Sequence, residues 1–195
     1  MENIEYTYRC PWCGTDPIYV EYHDHEWGRP ERNPRALFEL LILEGFQAGL
    51  SWITILRKRD AFRSAFQGFD PDIVASWGED EVTRLLTNPA IVRHRGKIEG
   101  AIRGAQAFLR IEAAQGFSPF LWAFVGGAPI QRRAARMSDV PGQTPQSLAM
   151  SKALKAEGFS FVGPTITYAF MQAAGMINDH LTSCPRHAEV AALGR

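Results

Sequence analysis

The chain has 195 residues, of which 46% are hydrophobic, and its 21 lysines and arginines balance 21 aspartates and glutamates. This hydrophobic content is ample for a buried core and excludes a disordered chain. Zero net charge is not typical of a protein that binds nucleic acid over a broad surface. Any DNA contact must therefore come from basic residues gathered on one face.

Cysteine usage and the chain start indicate a cellular compartment. Three cysteines cannot pair evenly in disulfides, which favours a reducing environment with the thiols free or on a metal. The first residues, 1–5, are polar and acidic, unlike a secretory signal. No apolar run is long enough to span a bilayer. We therefore expect a cytoplasmic protein without a membrane segment.

Helix-start signals recur along the chain. A capping side chain precedes a proline at Asn33-Pro34, Asp70-Pro71 and Thr144-Pro145, and apolar residues at helical spacing follow. The predicted helices run from Asn33 to about Gly49, from Asp70, from Gly96 through Leu109, from Thr144 to Gly158, and from about Pro164 to Gly175. No alternation of period two predicts a strand. The sequence thus predicts an all-α fold, with residues 1–195 in a single domain.

Two pairs of metal-ligating residues lie at opposite ends of the chain. Cys10 and Cys13 form a Cys-x-x-Cys pair, and His180 and Cys184 form a His-x3-Cys pair. Both spacings suit tetrahedral zinc, and four protein ligands would make the site structural. Spacing alone selects these four residues, with His23 and His25 as spare candidates. The alternative is that they are ordinary buried thiols and surface histidines.

An aromatic stretch follows the first cysteine pair. Trp12, Tyr19, Tyr22 and Trp27 are interleaved with polar residues. Aromatic side chains with a polar atom suit a pocket that stacks on a flat base and contacts its edge. For any one of them, simple core packing is the alternative.

Glu44 lies in a predicted helix that is otherwise apolar nearly all round. Carboxylates are seldom fully buried without a partner. Glu44 therefore faces a cleft, or an arginine or hydroxyl from elsewhere in the chain holds it. Trp52 follows close behind, at the start of the next predicted helix.

Basic residues cluster just before the long predicted helix. Arg93, Arg95, Gly96 and Lys97 stand where the backbone amides of a helix start would add to the attraction for phosphate. The glycine lets a backbone approach a ligand closely. Other basic runs, such as Arg132-Arg133, are interpreted as solvated surface.

Together these motifs resemble the 3-methyladenine DNA glycosylase I family, within the helix-hairpin-helix glycosylase superfamily. The ordered set covers nearly the whole chain, so it is far more specific than any one stretch. The matching segments are 22–28, 43–52, 91–98, 161–165 and 178–180.

The resemblance implies a compact helix-hairpin-helix glycosylase fold with a structural Zn²⁺ that joins the N- and C-terminal segments. Its ligands would be Cys10, His23, His180 and Cys184. This set differs from the one that spacing selects, because His23 replaces Cys13 as the fourth ligand.

The resemblance also implies roles around a base pocket. Glu44 would be catalytic, and the base would contact four aromatic residues, namely Trp52, Tyr22, Trp27 and Tyr19. Leu50 would face the gap left by a flipped nucleotide. The segment from Pro89-Ala90 to Lys97 looks like a DNA-gripping hairpin, with Arg93, Arg95, Gly96 and Lys97 as DNA contacts. Proline and alanine stand where that hairpin usually has glycine.

The implied activity is hydrolytic excision of 3-methyladenine from alkylated double-stranded DNA, by a monomer, leaving an abasic site. No lysine nucleophile for strand nicking is recognisable, and Lys97 is interpreted as a phosphate contact. One alternative is a non-catalytic zinc-stabilised module that binds damaged DNA. Another is a zinc-stabilised protein adaptor whose aromatic residues fill the core. Serine-hydrolase and nucleotide-binding functions are disfavoured, since no nucleophile elbow or phosphate loop is present.

Overall fold

The computed structural model describes residues 8–194, so the predicted lack of a signal at residues 1–5 lies outside the described part. Within it, α-helices dominate, and the only strands are two residues long. The helices are α1 (Pro17–His25), α2 (Pro34–Gln47), α3 (Trp52–Leu56), α4 (Arg59–Ala65), α5 (Pro71–Ala75), α6 (Glu79–Leu86), α7 (Arg95–Gln115), α8 (Phe117–Trp122), α9 (Pro145–Glu157), α10 (Pro164–Ala173) and α11 (Pro185–Leu193). The strands β1 (Ile130–Gln131) and β2 (Ile177–Asn178) pair in parallel. The predicted all-α class is confirmed.

Side-chain capping explains where several helices begin. The side chains of Asn33, Asp70 and Thr144 accept hydrogen bonds from backbone amides in the first turns of α2, α5 and α9, as predicted. Asp16 caps α1 in the same way, although that Asp-Pro start was overlooked in the sequence. The left-handed Gly158 ends α9 at φ +105°, where a side chain would be strained.

Several helices differ from prediction: α4, α6 and α8 were not predicted, and α7 continues past Leu109 to Gln115. The long helix α7 begins at Arg95, one residue before the predicted Gly96, because the side chain of His94 caps it by accepting from the Lys97 amide. The predicted last helix is followed by α11, which Cys184 and Pro185 start. Histidine is an uncommon cap and α11 is only nine residues long, so both signals are weak in sequence.

Helix α2 lies at the centre of the packing. It contacts α3, α7, α8 and α10, while α7 also packs against α5 and α6. Phenylalanines fill this core; the rings of Phe46 on α2 and Phe62 on α4 lie 4.7 Å apart. Because other helices surround α2, a polar side chain on it, such as that of Glu44, lies in the interior of the protein.

The two ends of the described chain meet. The Leu181 amide donates to Cys10 Sγ at 3.3 Å, and β1 pairs with β2 just before this point. Within residues 8–194 no helix is both long and apolar enough to cross a membrane.

Candidate functional site

A cavity of about 300 Å³ opens between α1, α2 and α10. Its volume and mostly apolar lining suit one flat ring system. Its lining comprises Trp12, Tyr19, Tyr22, Trp27, Glu44, Gln47, Trp52, Met137, Val140, Pro141, Gly142, Thr165, Tyr168, Ala169, Gln172 and Asp179.

All four predicted aromatic residues line this cavity. The rings of Tyr22 and Trp52 lie 5.5 Å apart, and Trp12 links them to the others, with its ring 5.1 Å from that of Tyr19 and 4.9 Å from that of Trp27. Three segments thus build one aromatic wall: the turn at 11–13, the helix α1 with the residues after it, and the start of α3.

Glu44 reaches into the same cavity from α2. It is only 3% exposed, and its Oε2 atom has no hydrogen-bond partner. Burial alone raises the pKa of this carboxyl from 4.5 to about 8. Of the two alternatives that the sequence left open, the structure supports the cleft over a fixed arginine or hydroxyl partner.

Unsatisfied polar atoms concentrate at this cavity. Among the described residues, five buried side-chain atoms lack a hydrogen-bond partner, and all five belong to residues that line it. They are Trp12 Nε1, Glu44 Oε2, Gln47 Oε1, Trp52 Nε1 and Asp179 Oδ1. A buried polar group without a partner destabilises the fold by roughly 1–3 kcal/mol. A pocket ligand that carries hydrogen-bond donors and acceptors would satisfy these atoms.

Asp179 was missed as a pocket residue in the sequence. Its Oδ2 atom accepts from the Tyr168 hydroxyl and, at 2.9 Å, from Gln172. Arg132 Nε lies 3.2 Å from Oδ1, an ion pair without hydrogen-bond geometry. Asp179 lies in the matching segment 178–180, in which only His180 has a role implied by the resemblance. Tyr168 and Gln172 stand four residues apart on α10, which places them on one helix face.

Four metal-ligating side chains converge beside the pocket. Cys10, His23, His180 and Cys184 are all buried, and their ligand atoms lie within 4.8 Å of one another. Three sulfur–nitrogen separations are 3.7–3.8 Å. Tetrahedral zinc, with bonds of about 2.3 Å to sulfur and about 2.05 Å to nitrogen, requires about 3.5 Å. The group could therefore hold a metal ion after small shifts.

The surroundings of this group also suit a cation. The outer ring nitrogen of His23 lies 2.7 Å from Asp24 Oδ1, and that of His180 lies 3.1 Å from the Trp27 carbonyl. Such outer contacts orient histidine ligands in metal sites. The hydrogen bond between Cys10 and Cys184 lowers the pKa of the Cys184 thiol and raises that of Cys10, so the pair favours one thiolate.

The converging group contains His23 in place of Cys13, the fourth residue that spacing selected. Cys13 is not part of the converging group; its thiol donates to the Cys10 carbonyl at 3.2 Å. Residues 11–13 form a 3-10 turn that directs this side chain away. His25, the other spare candidate, is exposed beside Glu21 on α1.

The predicted DNA-contacting residues differ in exposure. Leu50 is 43% exposed in the turn after α2, Arg93 is exposed, and Gly96 is half-buried in the first turn of α7. Arg95 pairs with acidic side chains, those of Glu79 at 2.9 Å and Glu99 at 3.4 Å.

Lys97 departs from its expected role as a phosphate contact. It is 8% exposed, and its ammonium group donates to the carbonyls of Phe46 at 2.8 Å and Ala48 at 2.6 Å. Its position at the start of α7 was identified in the sequence, but packing against α2 turns the side chain inward.

The predicted hairpin segment is an irregular eight-residue connection, 87–94, between α6 and α7. Lys58 donates to the carbonyls of Pro89 and Ala90 and so holds this connection. Helices α9 and α10 form a second helical hairpin, whose connection, residues 158–163, is shorter. Phe161 in this connection adopts φ +58°.

This geometry defines a helical protein with an aromatic pocket that suits a flat ligand carrying both hydrogen-bond donors and acceptors. Next to the pocket lie Cys10, His23, His180 and Cys184, which together are called the metal-type group. A sequence profile of the methyladenine glycosylase family matches residues 12–187. DNA-3-methyladenine glycosylase 1 of Escherichia coli (strain K12) is 50% identical over 177 residues, which cover 90% of this chain and 95% of that protein. The chain therefore belongs to the methyladenine glycosylase family.

Solved structures agree with this assignment. A crystal structure of 3-methyladenine DNA glycosylase I (TAG) has a TM-score of 0.90 and 52% identity, and the match covers 91% of this chain and 98% of that one. A variant of 3-methyladenine DNA glycosylase I solved in complex with 3-methyladenine has a TM-score of 0.88 and 43% identity, with 91% and 96% covered. The family predicted from the ordered motifs is thus confirmed.

Proposed function

We propose that this protein is a monofunctional, monomeric DNA glycosylase that excises 3-methyladenine from alkylated double-stranded DNA and leaves an abasic site. The observation that carries the proposal is the aromatic pocket in which Glu44 is buried without a partner. The family assignment supports the same substrate, since relatives are named for 3-methyladenine and one was solved with that base.

The pocket suits a flat cation. Methylation at N3 makes adenine cationic, and the electron-rich faces of Trp52 and Tyr22 attract a positive ring. The unpartnered acceptors of Glu44 and Gln47 fit an exocyclic amino group, and the indole donors fit ring nitrogens. The cation would favour the ionised form of Glu44, whose carboxyl has its pKa raised in the pocket.

The chemistry needs little acid catalysis. The bond between the sugar C1′ and the base nitrogen breaks, and its electron pair neutralises the positive base. Water adds to the oxocarbenium-like C1′ and loses a proton, so the products are free base and an abasic sugar. Among described residues no lysine lines the pocket, and the Lys97 ammonium is held by two backbone carbonyls. This supports hydrolysis without strand nicking.

A structural Zn²⁺ on Cys10, His23, His180 and Cys184 is part of the proposal. Its support is the fit of the sulfur–nitrogen separations and the choice of soft and borderline ligands. When bound, the ion would supply no chemistry to the reaction but would tie the start of the described chain to its end.

The DNA-contacting surface would be formed by the exposed Leu50 and by the start of α7. Leu50 would enter the gap left by the flipped nucleotide, while Arg93, Arg95 and the backbone at Gly96 would contact the phosphates. The exposure of Leu50 and Arg93 supports this arrangement.

Release of free bases from methylated duplex DNA tests the function. Wild-type protein should release 3-methyladenine and leave strands intact, and Glu44→Gln should slow single-turnover release on the order of a hundredfold, because a charge-assisted bond in a dry pocket is worth ~3 kcal/mol. Glu39→Gln is the matched control on the same helix, since Glu39 pairs with Arg63 outside the pocket. Binding of damaged duplex without any release would instead establish the non-catalytic module.

A further inference from the structure

Lys97 connects the start of α7 to the end of α2. Its two acceptors, the carbonyls of Phe46 and Ala48, belong to the last turn of α2 and to the residue after it. The final carbonyls of a helix lack intrahelical partners, and a buried ammonium satisfies two of them here.

These carbonyls lie at the base of the turn that carries Leu50. Gly49 has φ +82°, a backbone conformation that favours glycine. The Leu50 amide donates a hydrogen bond to the Gln47 carbonyl at 2.6 Å. These contacts fix the path of the chain after α2. The two carbonyls bound by Lys97 therefore help to set the position of the exposed Leu50 side chain.

A third segment meets Lys97 from the α9–α10 connection. The ring of Phe161 lies 5.7 Å from the Lys97 ammonium and stands against Gly100 on α7. A side chain at Gly100 would come within 3.4 Å of that ring. The close approach lets the ring cover the lysine, so the ammonium is shielded from solvent and from a passing phosphate.

We propose that Lys97 is a positioning residue that holds the Leu50 turn in register with the start of α7, so that Leu50 enters the DNA gap while Arg93 contacts the backbone. The inference rests on the proposed function, because the role of Leu50 belongs to it. A phosphate contact by Lys97 would require the ammonium to leave two carbonyls and would orphan them.

A double-mutant cycle tests the coupling. Lys97→Met and Leu50→Ala should each slow single-turnover excision from duplex DNA by about tenfold, and the double variant should be slowed by about tenfold rather than about a hundredfold, because coupled residues are non-additive. A double variant slowed by about a hundredfold, the product of the two single effects, would overturn the positioning role. Unchanged excision by Leu50→Ala would overturn it too, while wild-type base release would still stand.

Two further measurements separate positioning from a structural or electrostatic role. Lys97→Met should bind free 3-methyladenine like the wild type, and its duplex affinity should keep the wild-type salt dependence. Arg93→Gln is the control, whose slope of log affinity against log salt should fall by about 0.9. A similar fall for Lys97→Met would indicate a phosphate contact, and a proportional loss of free-base binding would indicate general misfolding.

Gly49→Ala provides a test that leaves Lys97 intact. Nothing lies within 4 Å of an added side chain there, so the change strains only the backbone of the turn. We expect slower excision from duplex DNA with unchanged free-base binding and salt dependence. Wild-type excision by this variant would mean that the conformation of the turn is unimportant, which would contradict the proposal.

Discussion

The pocket and the metal-type group lie side by side but differ in how their polar atoms are satisfied. In the metal-type group, the four ligand atoms face one another and the outer histidine nitrogens lie against Asp24 and the Trp27 carbonyl. In the pocket, five buried atoms have no hydrogen-bond partner. The first arrangement suits stability, whereas the second retains unsatisfied groups for a ligand.

The two regions share a wall. Trp27 lines the pocket and also lies with its ring 4.6 Å from that of His180, and Trp12 lies 5.3 Å from the ring of His23. Changes to the metal-type group should therefore disturb both regions, whereas changes inside the pocket should leave the metal-type group intact.

The largest effect is expected from His23→Ala. Loss of one of four ligands should abolish stable zinc binding and lower the melting temperature by about 10 °C or more, since several kcal/mol of metal-linked stability are lost. Metal analysis and thermal unfolding with and without a chelator measure this. His25→Ala is the matched control on the same helix and should behave like wild type. Equal melting of His23→Ala and wild type under both conditions would exclude a structural ion.

An intermediate effect is expected from Glu44→Gln on stability against pH. The Glu44 pKa is 4.5 in the unfolded chain and about 8 in the folded one, so the unfolded state gives up a proton that the folded state keeps. This contribution to the free energy of unfolding is fully present below pH 4.5 and is lost as the pH rises through about 8.

The Glu44→Gln variant cannot lose stability in this way, because glutamine does not titrate. Its free energy of unfolding should differ least from that of the wild type at acid pH. Above pH 8 the variant should be more stable than the wild type by a few kcal/mol, since each pKa unit is worth about 1.4 kcal/mol. Denaturant unfolding of both proteins across this range measures the difference, with Glu39→Gln as control. Parallel pH profiles for Glu44→Gln and wild type would show that Glu44 is solvated.

The smallest effect is expected from Cys13→Ser. Its thiol donates to the Cys10 carbonyl and takes no part in the ligand group, and a hydroxyl can make the same bond. The variant should retain its full zinc content and lose less than about 1 kcal/mol of stability. Loss of zinc on this substitution would restore Cys13 as a ligand.

Sequence patterns anticipated features that depend on neighbouring residues. Asn33 and Thr144 were recognised as caps because the amides that they bind lie within three residues. Glu44 was singled out because a carboxylate on an apolar helix needs an explanation, and burial explains its raised pKa. The ordered motifs identified the family for the same reason: each is short and contiguous.

Features that join distant segments were harder to anticipate. Asp179 meets Arg132 across 47 positions in the chain, and its partners on α10 have no distinctive local pattern. Lys97 was placed correctly at a helix start, but its contact with α2 depends on packing across about 50 residues.

The amino-acid sequence by itself thus determined the helical class, several helix starts, the family and the residue types of the pocket and the metal-type group. Tertiary structure alone decided that Lys97 turns inward and that Asp179 lines the pocket. It also placed His23, which the family resemblance implied, in the converging group, and left out Cys13, which spacing favoured. The physical reason is range: caps and periodicity act over a few residues, whereas the direction of a buried side chain depends on which distant atoms can satisfy it.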